Sequence, residues 1–172
     1  MQERTIHSKH LFNKENKPDN FNPPIIVGCD IKTPENIGNI IRLADNIGCK
    51  KVLFVTDNEN LRISKIKKTA SSSFNKVDWS FCKRADLDDE IPEDYKWIAI
   101  ETTSDSQNIY KTKLPSKTAF FVGNEIHGID SGILTQCNKI VHIPLFGNNT
   151  SMNVSHALAV ALFEWQRQII DL

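Results

Sequence analysis

The sequence predicts an α/β fold, with a mainly parallel sheet covered by helices on both faces. Two patterns predict it. Short runs that are apolar throughout, such as Ile25-Ile26-Val27, Val52-Leu53-Phe54-Val55 and Ala119-Phe120-Phe121-Val122, read as strands buried on both sides. Between them lie stretches whose apolar residues recur every three or four positions, as covering helices require. Bulk composition agrees. With 40% hydrophobic and 24% charged residues over 172 positions, the chain suits one folded domain with a substantial core and not a disordered segment.

Residues 1–24 are polar, carry Lys9, Lys14, Lys17 and the pair Pro23-Pro24, and read as an arm or lead-in. Order is expected to begin at Ile25, giving a single domain over 25–172. Pro34 and Glu35 open a helix with Ile37, Ile40, Ile41, Ala44 and Ile47 on one face, and Gly48 ends it. Val52–Val55 is the second strand. A helix from about Leu61 to Lys68, a weaker strand from Val77 to Phe81 and an acidic segment from Asp86 to Asp94 follow. Strands are expected at Trp97–Ile100, Ala119–Val122 and Ile140–Ile143, with a short helix, Ser131–Asn138, between the last two. A long helix from Ser151 to Asp171 closes the chain, striped by Val154, Leu158, Ala161, Leu162, Trp165 and Ile169. Strand order is not legible from this pattern.

Lys plus Arg equals Asp plus Glu, at 21 each, so bulk charge gives no attraction to nucleic acid. Any such contact must come from a local patch. Arg62, Lys65, Lys67, Lys68 and Lys76 form an acid-free stretch that reads either as a solvated helix face or as a contact to an RNA backbone. Cys29, Cys49, Cys82 and Cys137 form no C-x-x-C pair and read as buried thiols of a reducing compartment. No metal-ligand spacing, membrane-length apolar run or apolar signal region is present, so no metal, no membrane and a cytoplasmic location are expected.

Three segments carry chemistry. In Thr33–Arg42, Asn36 and Gly38 sit where a strand turns into a helix, where backbone N–H groups are free and Gly admits another backbone or a phosphate. Arg42 stands among apolar positions, either covering the core with its stem or serving a partner. In Phe121–Ile129, a strand ends at Gly123, Glu125 follows, and Gly128 comes five residues after Gly123. Such a turn can admit a flat ligand at the carboxyl end of a strand, or be a plain tight turn. In Ile143–Ser155, the small polar residues Ser151, Asn153 and Ser155 crowd a helix start, where one capping residue would suffice. Neither G-x-x-x-x-G-K-[ST] nor G-x-G-x-x-G occurs, which argues against an unrelated phosphate-loop module.

In this order the segments resemble the SpoU/TrmH branch of the SPOUT RNA ribose 2′-O-methyltransferases. Asn36, Gly38 and Arg42 match N-x-G-x-x-x-R. Gly123, Asn124, Glu125 and Gly128 match G-N-E-x-x-G. Ile143, Pro144, Ser151, Met152, Asn153, Val154 and Ser155, then Glu164, Arg167 and Gln168, match I-P…S-[LM]-N-V-S and E-x-x-R-Q. Ile126 departs from the Gly and Met152 from the Leu of many members. The resemblance implies a trefoil knot in the C-terminal half, a homodimer and S-adenosylmethionine as cofactor. Glu101, Thr102, Gly123, Ile143, Leu145, Ser151, Met152 and Asn153 would form its pocket, and Arg42, Asn36, Glu125, Ser151 and Asn153 would be the catalytic set. RNA would be held by Arg42, Arg62, Lys65, Lys67 and Lys68, with tRNA favoured over rRNA for so compact a chain. The resemblance gives Arg42 the task of removing the 2′-hydroxyl proton. The alternative, which costs less because a guanidinium stays charged at neutral pH, is that Arg42 grips phosphate and stabilises an oxyanion, and sequence leaves both open. The alternatives are an RNA-binding domain of this fold without catalysis, and base methylation on the same fold.

Overall fold

The computed structural model describes residue 18 and residues 21–57 and 61–170. Lys9, Lys14, Lys17 and Asp171 lie outside the described residues. Seven strands among those described form one parallel sheet: β1 (Ile25–Cys29), β2 (Lys51–Val55), β3 (Trp79–Cys82), β4 (Lys96–Ile100), β5 (Gln107–Asn108), β6 (Thr118–Val122) and β7 (Lys139–His142). Their order across the sheet is β3-β2-β1-β6-β4-β7-β5, and every pairing is parallel. Five helices accompany them: α1 (Pro34–Ile47), α2 (Ile63–Ala70), α3 (Leu87–Glu90), α4 (Ser131–Leu134) and α5 (Val154–Ile170).

Side chains alternate across each strand, so two cores form. On one face Ile26, Phe54, Ile98, Phe120 and Val141 pack under α1, α2 and α5. On the other Val27, Leu53, Ala99 and Phe121 pack under Leu87, Ile129 and Ile133, from α3, the loop after β6 and α4. The fold class expected from sequence is therefore the one observed. Trp165, fully buried on α5, fixes that helix by donating Nε1–H to the Pro115 carbonyl at 2.9 Å.

The structure departs from expectation at five places. Order begins before Ile25. Phe21 stacks edge-on against Trp165 at 5.9 Å, and Tyr95 donates its hydroxyl hydrogen to the Pro23 carbonyl, so the proline pair is already anchored. The helix expected at Ser131–Asn138 ends at Leu134, and the helix expected at Leu61 starts at Ile63. The closing helix starts at Val154, three residues late, because the Asn153 side chain accepts from the Ser155 N–H at 2.9 Å and caps it. The edge strand β5 was not expected at all. Its two polar residues offer no apolar run to find.

α1 matches its expected bounds. Pro34 stands in its first turn, and Gly48, at φ 69°, caps its end. Gly38 is needed where α1 crosses α2. A Cβ there would lie 2.6 Å from Thr69 Cβ and 2.9 Å from the Ile66 carbonyl oxygen. The close approach that Gly38 permits is that of the α2 backbone.

Candidate active site

The carboxyl ends of β4, β6 and β7 converge with the loop before α5 on a cleft of about 490 Å³. Glu101, Thr102, Gly123, Glu125, Ile143, Leu145, Ser151, Met152 and Asn153 all line it. These residues span more than fifty positions of sequence, and the sheet order brings them together.

The loop after β6 is closed by Asn124 and Gly128, which exchange backbone hydrogen bonds of 3.0 and 2.9 Å. Asn124 Oδ1 accepts from the N–H groups of Ile126 (2.8 Å) and His127 (3.0 Å), while its Nδ2 donates to the Asp30 carbonyl at 2.8 Å. One side chain thus builds the turn and bolts it to the β1–α1 connection. Sequence reading quoted Asn124 in its motif but gave it no role; an Asn just after a strand that can form its own local turn was the available signal. Ile126 is 85% exposed with negative φ, so the departure from Gly there does not strain the turn.

The glycines serve the loop itself. A Cβ on Gly123 would lie 2.2 Å from the Gly128 carbonyl carbon, and Gly128 takes φ 70°. The bare backbone expected to admit a flat ligand is largely covered by the loop's own return limb. Glu101 completes this wall: Oε1 accepts from the Thr102 N–H at 2.9 Å and Oε2 from the Ile129 N–H at 3.1 Å.

A directed chain of hydrogen bonds crosses the site. Glu125 accepts from Asn36 Nδ2 at 2.6 Å, Asn36 Oδ1 accepts from Asn153 Nδ2 at 3.1 Å, and Asn153 Oδ1 accepts from the Ser155 N–H and hydroxyl at 2.9 and 2.7 Å. An ionised carboxylate only accepts, so Asn36 must turn its amide nitrogen to Glu125. Each later amide then has one satisfactory orientation. Asn36 is buried and does not itself line the cleft.

Arg42 is not part of this cluster. It is exposed on α1, six residues or about 9 Å of helix beyond Asn36, and makes no hydrogen bond or ion pair with a described residue. It shares its layer with the basic helix. There Lys65 pairs with Glu35 at 3.4 Å, Lys67 lies over the Phe74 ring, and Arg62 and Lys68 are exposed. Sequence reading also missed His142, whose Nδ1 lies 3.0 Å from Ser106 Oγ. That hydroxyl donates its hydrogen to the Thr103 carbonyl at 2.8 Å, so the imidazole must be the donor to it. Among the described residues no cluster of three or more His, Cys, Asp or Glu could hold a metal, and no helix is long and apolar enough to cross a membrane.

A parallel sheet with a ligand-sized cleft at its strand ends places the chain among the open-sheet α/β proteins, the class in which ligands sit outside the carboxyl ends of the strands. A sequence model of the SpoU rRNA Methylase family matches residues 23–163, and the chain belongs to that family. It is 30% identical over 166 residues to the 23S rRNA (guanosine-2′-O-)-methyltransferase RlmB of Neisseria meningitidis serogroup B, covering 94% of this chain and 66% of that protein. It is 27% identical over 164 residues to the RlmB of Blochmanniella floridana, covering 95% of this chain and 65% of that protein. The chain thus spans about two thirds of the length of these relatives. Its fold matches the crystal structure of the SpoU methyltransferase AviRb from Streptomyces viridochromogenes with a TM-score of 0.79 at 21% identity, covering 87% of this chain and 60% of that one.

Proposed function

We propose that this chain is an S-adenosylmethionine-dependent RNA methyltransferase that places a methyl group on a ribose 2′-oxygen. The observation that carries the reading is the bonded chain Glu125–Asn36–Asn153–Ser155, which reaches a cofactor-sized cleft at Glu125 and Asn153. The cleft suits that cofactor. Its volume lies in the small-molecule range, and Ile143, Leu145 and Met152 offer apolar faces to a purine. The hydroxyls of Thr102, Thr150 and Ser151 have no partner among the described residues. When bound, the sulfonium supplies an activated methyl group.

The residues would then divide the work. Asn36 holds Glu125 Oε1, leaving the other carboxylate oxygen to accept a hydrogen bond from the 2′-hydroxyl and orient it. Asn153 fixes Asn36. Arg42, outside the cleft, is placed to grip RNA phosphate together with Arg62, Lys65, Lys67 and Lys68. Replacing Arg42 by Lys keeps the charge and removes the planar fork, so RNA affinity should fall about tenfold with cofactor affinity unchanged. Full activity in R42K would rule out a bidentate role.

The lean toward tRNA rested on compactness alone. The named relatives act on 23S rRNA, and rRNA is the substrate class this reading adopts. A single methyltransferase unit, the trefoil knot, the homodimer and a cytoplasmic location belong to the same reading. Phe163 and Ile170, 52% and 61% exposed along α5, support an interface with a second copy. Calorimetry with S-adenosylmethionine, and mapping of 2′-O-methylation in rRNA and tRNA from cells with and without the gene, test the proposal. Loss of one methylated ribose from rRNA is expected. Absence of cofactor binding would leave an RNA-binding domain without catalysis, and loss of a methylated base would move the chemistry to the base.

A further inference from the structure

A second cleft, of about 950 Å³, opens at the carboxyl ends of β1 and β2 beside Arg84, on the other side of the loop after β6. Asn124 and Gly128 belong to both clefts, Glu125 lines the first, and His127 lines the second. A group bound in the second cleft therefore lies one loop's thickness from the Glu125 carboxylate. The proposed methyl transfer does not use this space.

Its walls combine the chemistries a nucleotide presents. Lys32 and Arg84 bring positive charge to a lining that also holds the Asp30, Asp57 and Asp130 carboxylates. Lys32 is ion-paired with Asp30 at 3.3 Å, and Arg84 is steadied by Gln136 and by Asp88. The Asp57 carboxylate and the His127 ring have no partner among the described residues, and offer an acceptor and a mixed donor and acceptor for a base edge. Val55, Ile129 and Ile133, almost wholly buried, form the apolar floor beneath these groups. A ribose whose 2′-hydroxyl meets the exposed Glu125 carboxylate brings its base within reach of the space across the loop, and a base drawn out of its stack is recognised by side chains at its edge.

We propose that the second cleft receives the base of the nucleotide whose ribose faces Glu125, with Asp57 and His127 reading its edge and Lys32 and Arg84 meeting an adjoining phosphate. The inference rests on the ribose-methylation reading and adds a substrate subsite to it.

Amide NMR of the full chain tests it, with guanosine 5′-monophosphate as probe and ribose 5-phosphate as control, each with and without S-adenosylmethionine. With the cofactor present, the nucleotide should shift the amides of Lys32, His127, Ile129 and Ser131, whereas ribose 5-phosphate should shift Lys32 alone. Equal shifts from ribose 5-phosphate would reduce the cleft to a phosphate site. Shifts confined to Thr102 and Ser151, or none up to about 10 mM, would overturn the proposal. In the double variant Asp57→Asn, His127→Ala, nucleotide affinity should fall at least about fivefold while cofactor affinity holds; unchanged nucleotide affinity would also overturn it. A cofactor that shifts nothing in the first cleft would instead sink the methyltransferase reading, and the nucleotide titration alone would then decide whether the second cleft binds a base.

Discussion

At the N-terminal end of α5, Ser151 and Asn153 line the cleft and Ser155 bonds to Asn153. At its C-terminal end, Glu164, Arg167 and Gln168 face one another and a loop of the same chain. Glu164 accepts from Arg167 Nε and Nη2 at 3.0 and 2.9 Å and from Gln168 Nε2 at 2.8 Å. Gln168 also donates to the Thr112 carbonyl and accepts from the Leu114 N–H, at 3.0 and 2.9 Å. These bonds staple the loop before β6 to the helix. Both ends match a family motif and both are polar, yet one lines a cleft and the other bonds within the fold. A matched motif residue is therefore a candidate for function only once its partners are known.

The largest separation between the two ends should come from truncating each amide. Asn153→Ala removes the cap of α5 and the bond that orients Asn36. A misplaced positioning group of this kind costs about 10²-fold in kcat, with only about 1 kcal/mol of stability from the lost cap. Gln168→Ala leaves the Leu114 N–H and the Thr112 carbonyl without that partner and should cost about 1–3 kcal/mol of stability with kcat intact. Steady-state kinetics and denaturant unfolding on both variants read the contrast. If N153A loses stability alone, or Q168A loses kcat alone, the division fails.

Why sequence could not draw this line is physical. The strands were legible because burial on both faces demands unbroken apolar runs, and α1 was legible because Pro34, a regular apolar stripe and Gly48 all agreed. The cleft lining was marked through motif positions, and all eight proposed cofactor residues do share one cleft. What a polar side chain bonds to is another matter. Asn36 meets Glu125 across 89 residues and Asn153 across 117, and no local pattern encodes such partners. Arg42 stood in the same motif as Asn36 but projects away from it, since positions six apart on a helix do not share a face. Asn124 was quoted as a motif letter, and its place at the junction of two clefts emerges only once β1 and β6 are paired.

A smaller effect sharpens the N-terminal half of the comparison. Ser155 Oγ donates to the Asn153 oxygen, so it helps hold the Asn153 amide nitrogen toward Asn36. In Ser155→Ala the backbone cap bond survives and about 1 kcal/mol of orientation is lost, which predicts about a fivefold fall in kcat with an unchanged KM for the cofactor. Ser155→Thr, which restores the hydroxyl, should recover most of it. A loss that Thr does not rescue would make Ser155 a packing residue of the buried helix start.

The smallest effect lies at the other end, and its sign is fixed by the charge pairing. The Arg167 guanidinium, and then the Gln168 amide, hold the Glu164 carboxyl below its ordinary value of about 4.5, against a desolvation that raises it. A carboxyl depressed in the folded state contributes stability that is fully present above its unfolded value and is lost as pH falls through the folded one. Wild-type stability should therefore decline below about pH 4.5 with a component that Glu164→Gln lacks. The variant cannot titrate at this position and retains a side-chain oxygen to accept from Arg167. Urea unfolding midpoints across the acid range measure the difference, and methyl transfer at neutral pH should be the same in both proteins. If E164Q lost activity at neutral pH while its unfolding curve stayed parallel to wild type, this end of α5 would have to be counted with the cleft.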